Sequence, residues 1–130
     1  MKFVCFGYLD VQNWSKKSTA EQNAMIDRCI AYDETLKKNG HWAGGEGLQP
    51  PNTAATLRLQ NGKVAITDGP YSETKEMLGG LLFLEAKDFQ EAVKLISDHP
   101  GMNMGPWEVR PIEDMTPMIA ESAKRRAAAK

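Results

Sequence analysis

The spacing of apolar residues changes along the chain, and each change marks an element. Residues 2–9 (KFVCFGYL) are apolar and aromatic without a helical period, which reads as a first strand. A polar connection over 10–17 contains Trp14. Ser18 and Glu21 then stand at capping-box spacing, where each side chain bonds the other's backbone N–H. Met25, Ile26, Cys29, Tyr32 and Leu36 recur every three or four residues, the stripe of an amphipathic helix. Lys37 and Lys38 suit its C-terminal dipole, and Gly40 suits the left-handed stop. Residues 41–49 begin like a strand until Pro50 and Pro51 interrupt. Residues 55–59 and 63–67 flank Asn61-Gly62, a pair that tolerates positive φ and so closes a hairpin. Residues 68–78 start as a turn and have no sustained apolar period. Residues 79–86 (GGLLFLEA) read as a central strand. Asp88 and Glu91 cap a second helix whose stripe is Phe89, Ala92, Val93 and Ile96, closed by Pro100-Gly101. Residues 107–112 alternate Trp107, Val109 and Pro111 with Glu108, Arg110 and Ile112, and Pro111 places their end at a sheet edge.

This order is α+β: a ferredoxin-like β-α-β-β-α-β fold with an inserted β-hairpin. In the first strand one face carries Phe3, Cys5, Gly7 and Leu9, and the other carries Val4, Phe6 and Tyr8. Residues 81–84 are likewise apolar on both faces. A sheet with helices on one side alternates apolar and polar residues. These strands call for cover on both sides, and two helices supply one. The hairpin and tail could supply the other, but the expectation is a homodimer that pairs sheet to sheet.

The chain has 130 residues, a single-domain length, divided as a body over 1–115 and a basic, alanine-rich tail over 116–130 that is either helical or unstructured. With 42% apolar and 25% charged residues it is not a disordered chain. No apolar run is longer than the four residues of 81–84, far short of the ~20 residues that span a bilayer. The first ten residues lack the apolar run and cleavage site of a signal peptide. Cys5 and Cys29 then read as reduced thiols of a cytoplasmic protein. No CxxC or HxxxH spacing suggests a metal. The net charge of −1 is a cancellation: residues 120–130 sum to +3 and the rest to −4. No basic field dominates, so nucleic acid is not an expected partner.

Three blocks resemble one family. Asp68-Gly69-Pro70-Tyr71-Ser72-Glu73-Thr74-Lys75-Glu76, followed by Gly79-Gly80, resembles the signature of the DGPF subgroup of the YCII-related family. Gly45-Glu46-Gly47-Leu48-Gln49-Pro50-Pro51 is similar to its second block, and residues 107–112 to its closing strand. The resemblance covers about residues 1–115. Tyr71 stands where the family usually has phenylalanine, and His41-Trp42, residues 99–106 and the tail are less typical. The resemblance implies a dimeric α+β barrel whose molecular function is mostly unassigned. Some relatives in the wider superfamily are isomerase-like or dehydrochlorinase-like enzymes. Genes for DGPF proteins often lie beside those for extracytoplasmic-function sigma factors, which implies a regulatory or stress-linked role. A histidine–aspartate pair is proposed as the acid–base unit in the wider family, but neither His41 nor His99 lies in a motif matching it.

Asp68 and Glu46 are the acid–base candidates. Asp68 either caps its turn or projects into a pocket as a base. Glu46, between two glycines, is either a solvated loop residue or shares that pocket, where two carboxylates would split their pKa values. Arg110 and Lys75 are charge anchors for an anionic ligand, or else partners of acidic neighbours. Glu73, Tyr71, His41 and Trp42 complete the candidate ligand-binding set, each with a plainer use in a solvated loop, a strand start or the core. His99 ends the second helix, where the dipole favours its charged form, and reads as structural or surface. Both cysteines read as buried hydrophobes. Two functions follow as expectations: cofactor-free acid–base chemistry, isomerase- or lyase-like, on a small anionic or cyclic molecule, or non-catalytic binding of a ligand or protein.

Overall fold

The computed structural model describes residues 1–129. β1 (Lys2–Asp10) passes through a short helix α1 (Val11–Ser15) into α2 (Thr19–Lys38) and returns as β2 (Trp42–Gly47). β3 (Ala55–Gln60) and β4 (Lys63–Asp68) form a hairpin, and β5 (Glu76–Glu85), α3 (Phe89–Ser97) and β6 (Trp107–Pro111) follow before α4 (Thr116–Ala128). The main sheet is antiparallel with the order β2-β5-β1-β6, and β3–β4 is a separate two-stranded ribbon. With the ribbon set aside, the chain runs β-α-β-β-α-β.

Local chemistry explains the helix starts. Ser18 Oγ accepts from Glu21 N at 3.1 Å while the Glu21 carboxylate accepts from Ser18 N at 3.0 Å. Those bonds hold the Glu21 carboxyl below its ordinary range. At α3, Asp88 Oδ1 accepts from Glu91 N at 2.8 Å, while Glu91 accepts from Lys87 N, one residue before the cap, at 3.0 Å. One segment differs from expectation, and the tail takes one of its two expected forms. The polar connection holds α1, because Asp10 accepts from Asn13 N at 3.2 Å and turns the chain as soon as β1 ends. The tail is a helix, with Pro117 in its first turn.

One face of the sheet is covered. Phe3, Cys5, Leu82 and Leu84 pack with Leu36 of α2 and with Ala92 and Ile96 of α3. Register fixes this grouping, since Phe3 pairs with Leu84 and Cys5 with both Leu82 and Val109. The opposite face carries Val4, Phe6, Leu81 and Phe83, all partly exposed. Neither the ribbon nor α4 covers that face: Leu57, Leu59, Val64 and Ile66 are exposed, as is all of α4 but Ser122. Among the described residues, no helix is long and apolar enough to cross a membrane.

Candidate functional site

Glycines open a cleft between α2 and the covered face of the sheet. Its volume is about 350 Å³, and its floor includes Gly7, Gly45, Gly47, Gly79 and Gly80. Two of these glycines carry indoles. A Cβ on Gly45 would come within 2.6 Å of the Trp42 ring, and one on Gly7 within 2.9 Å of the Trp107 ring. Any side chain there would displace an indole. Bare backbone therefore lets Trp42 and Trp107 lie close against the strands and leaves space above the sheet. Cys29, Asp33, His99 and Met104 line the rest.

Asp33 and His99 are 66 residues apart in sequence and meet at this wall, with His99 Nε2 2.9 Å from Asp33 Oδ1. His99 is 5% exposed and caps the 3-10 turn Pro100–Asn103, where its Nδ1 accepts from Gly101 N at 2.9 Å. With Nδ1 accepting, the proton sits on Nε2 and is donated to Asp33. The ring is held between Tyr32 and Trp107, each with its centroid 5.1 Å away. Tyr32 is fixed in turn by donating to Leu95 O at 2.6 Å. Burial, then the charges of Asp98 and Asp33, push the Tyr32 phenol up. Asp33 lines the cleft, and its Oδ2 makes no hydrogen bond among the described residues.

The thiols are not activated. Burial pushes Cys5 up to about 12. Burial first, and the Asp33 carboxylate next, push Cys29 up against a smaller opposing effect of Arg28. Iodoacetamide at pH 8 is expected to label Cys29 slowly through the cleft and to leave Cys5 untouched until the chain unfolds. Peptide mass spectrometry reads both, and Cys5 labelling at the Cys29 rate in folded protein would contradict the packing.

Of the sequence-chosen residues, Trp42 lines this cleft, with the Lys37 ammonium 4.7 Å above its ring. Glu46 borders it along β2. Pairing with Leu81, one residue on from Gly45, puts its carboxylate on the opposite face of the sheet. Asp68, Glu73 and Lys75 border a separate hollow of about 670 Å³, and Lys75 lies 3.4 Å from Asp10. Those contacts hold the Asp10 carboxyl below its ordinary range, the Asn13 amide most of all. Glu46 and Asp68, expected in one pocket, are therefore apart, because the chain turns away at Pro50-Pro51 and Glu46 alternates outward. Tyr71 is 78% exposed, with the Arg58 guanidinium 5.2 Å from its ring. Arg110 is exposed and bonds Glu108 at 3.0 and 2.6 Å. His41 Nδ1 lies 2.8 Å from the Glu85 carbonyl, outside the cleft. His99, expected as a structural or surface residue at a helix end, is buried, with Gly101 N–H on its second nitrogen.

Asp33 was not among the residues that sequence reasoning selected. The available signal was its position four residues after Cys29 and three before Leu36, on the inner stripe of α2. A carboxylate on an apolar stripe requires a partner.

An uncharacterised protein of Rhizobium meliloti (strain 1021) is 39% identical over 114 residues, covering 86% of this chain and 92% of that protein. A solved structure of 5-chloro-2-hydroxyhydroquinone dehydrochlorinase from Burkholderia phenoliruptrix AC1100, in complex with 2,5-dihydroxybenzoquinone, is similar at a TM-score of 0.46 and 18% identity, over 87% of this chain and 94% of that one. The model of the YCII-related domain matches residues 1–116, from the first residue to the start of α4, and the chain belongs to the YCII-related family.

Proposed function

We propose that this protein binds a small cyclic organic molecule in the cleft beneath α2 and moves a proton on it without a cofactor, with Asp33 as the base. The hydrogen bonding of His99 carries the reading. Its Nδ1 is occupied by Gly101 N–H, so its Nε2–H is fixed on Asp33 Oδ1 and Oδ2 is left for the ligand. In this arrangement His99 positions the base. Asp33 takes a proton from an acidic C–H or O–H of the ligand, and the electron pair passes into the ring system. Return of that proton at another atom gives isomerisation, and departure of a leaving group gives elimination. The indoles of Trp42 and Trp107 suit a flat ring, and the volume of about 350 Å³ lies in the range of small-molecule pockets. The uncovered apolar face of Val4, Phe6, Leu81 and Phe83 supports a homodimer built sheet to sheet.

One observation favours a second reading, a non-catalytic ligand- or protein-binding module in a sigma-factor-linked pathway. Lys75 and Arg110, the expected charge anchors, are already paired with Asp10 and Glu108. A thermal-shift screen of phenols, cyclic ketones and lactones on wild type and Asp33→Asn, followed by product analysis of the hits, separates the two. Catalysis is expected to show as a wild-type turnover that falls about 10²–10⁴-fold in Asp33→Asn while binding persists. Equal binding without turnover selects the module, and no stabilising compound removes the pocket reading.

A further inference from the structure

Asp33 and Lys37 stand one turn apart on α2, an acid followed four residues later by a base. That order and spacing favour an ion pair along a helix. On α3 even the less favourable order closes, with Lys94 2.9 Å from Asp98. On α2 the pair is open. Asp33 is turned to His99, and the Lys37 ammonium lies 4.7 Å over the Trp42 ring. Lys37 is exposed and makes no ion pair among the described residues. Trp42 rests on Gly45 and forms part of the cleft wall, so the ammonium stands at the edge of the cleft.

The cleft itself is lined by no lysine or arginine. Its charged lining residues are Asp33 and Glu46, and Glu46 points its carboxylate to the other face of the sheet. A negative charge on a ligand there, or one left in its ring when Asp33 takes a proton, calls for an opposite charge close by. Lys75 and Arg110 are paired elsewhere. Arg28, whose charge reaches the Cys29 thiol, is five residues from Asp33 and so lies about 140° round the helix from it. Lys37 shares the helix face of Asp33, about 6 Å further along the axis, a rise comparable to a six-membered ring with one substituent.

We propose that Lys37 selects a ring that bears a carboxylate: the carboxylate draws the ammonium from the face of Trp42, while the ring lies in the cleft with its reacting atom at Asp33. The inference rests on the ring-binding reading above and adds the charge of the ligand. Two arguments name a carboxylate among anions. A phenol is neutral near pH 7 and calls for no cation. A phosphate monoester brings a charge of about −1.5 to −2, and one lysine beside Asp33 offsets one unit.

Titration with benzoate and with benzamide tests the proposal, since the two share a ring and nearly a shape and differ by one charge. Nuclear magnetic resonance on ¹⁵N-labelled protein follows the indole N–H signals of Trp42 and Trp107. Wild type is expected to bind benzoate about 5-fold more tightly than benzamide at about 20 mM salt, and about equally at 0.5 M. Lys37→Met is expected to lose that preference with benzamide affinity unchanged, and Lys37→Arg to keep it. Lys37 is exposed, so both variants are expected to fold. Equal binding of the two probes by wild type, or a benzoate preference that survives in Lys37→Met, would overturn the role of Lys37 while leaving the cleft as a ring-binding site. If neither probe moves the two indole signals, the carboxylate selection falls, and the screen of neutral rings above decides the cleft separately.

Discussion

Gly105→Ala is expected to destabilise the fold by about 3 kcal/mol or more, from a single added methyl group. A Cβ at this position would overlap the carbonyl oxygen of Tyr8 and stand 2.8 Å from its carbon and 3.3 Å from Leu9 Cα. All three atoms are backbone of β1, an inner strand of the sheet, so no side-chain rotation relieves the clash. The chain crosses tightly there because Tyr8 N donates to Pro106 O at 2.9 Å and Asp10 N to Met104 O at 3.0 Å. The methyl group would lift the entry to β6 off β1. Trp107 begins that strand, so the wall of the cleft would move with it. For a domain of this size the penalty corresponds to a fall of about 10 °C or more in Tm. A thermal melt within 2 °C of wild type would show that β1 and the entry to β6 separate at little cost.

His99→Ala is expected to cost a similar amount of stability, and in addition to slow turnover on any substrate the cleft accepts. Its ring fills the space between Tyr32 and Trp107, and its loss leaves both a cavity and the Gly101 N–H without an acceptor. An unsatisfied buried amide costs about 1–3 kcal/mol, and the cavity adds to that. The chemical consequence is separate. Without Nε2–H the Asp33 carboxylate loses its fixed orientation, so kcat is expected to fall about 10-fold or more while KM changes little. His99→Gln retains an amide donor and is expected to recover part of kcat. Reduced stability with kcat intact would make His99 a packing residue only and remove the argument that it positions Asp33.

Local signals in the chain were legible, and contacts between distant segments were not. Ser18 with Glu21, Asp88 with Glu91, and Asn61 with Gly62 each set a boundary by chemistry confined to four residues or fewer, and each boundary is found. The two apolar faces of β1 and β5 could be read from alternation because register preserves it. The cleft could not be read this way. Its polar pair joins α2 to the turn after α3, and only the packing of both helices on one face brings Asp33 to His99. Glu46 misled for a related reason. The glycines beside it suggested a loop aiming a charge, whereas they belong to a strand, and alternation sends that charge to the other side. α1 was missed because its five residues have no apolar stripe and depend on Asp10 alone.

The glycine floor also has an evolutionary consequence. Its positions differ in what a first mutational step would meet. At Gly7 and Gly45 any side chain collides with an indole, so those sites are closed to gradual change. At Gly47, which also borders the cleft, an added Cβ meets nothing within 4 Å. Alanine, then serine or valine, could enter there in turn, each trimming the space without moving a strand. The size of the cleft can therefore drift along a path of small viable steps at one residue, while the indoles that define its shape stay fixed.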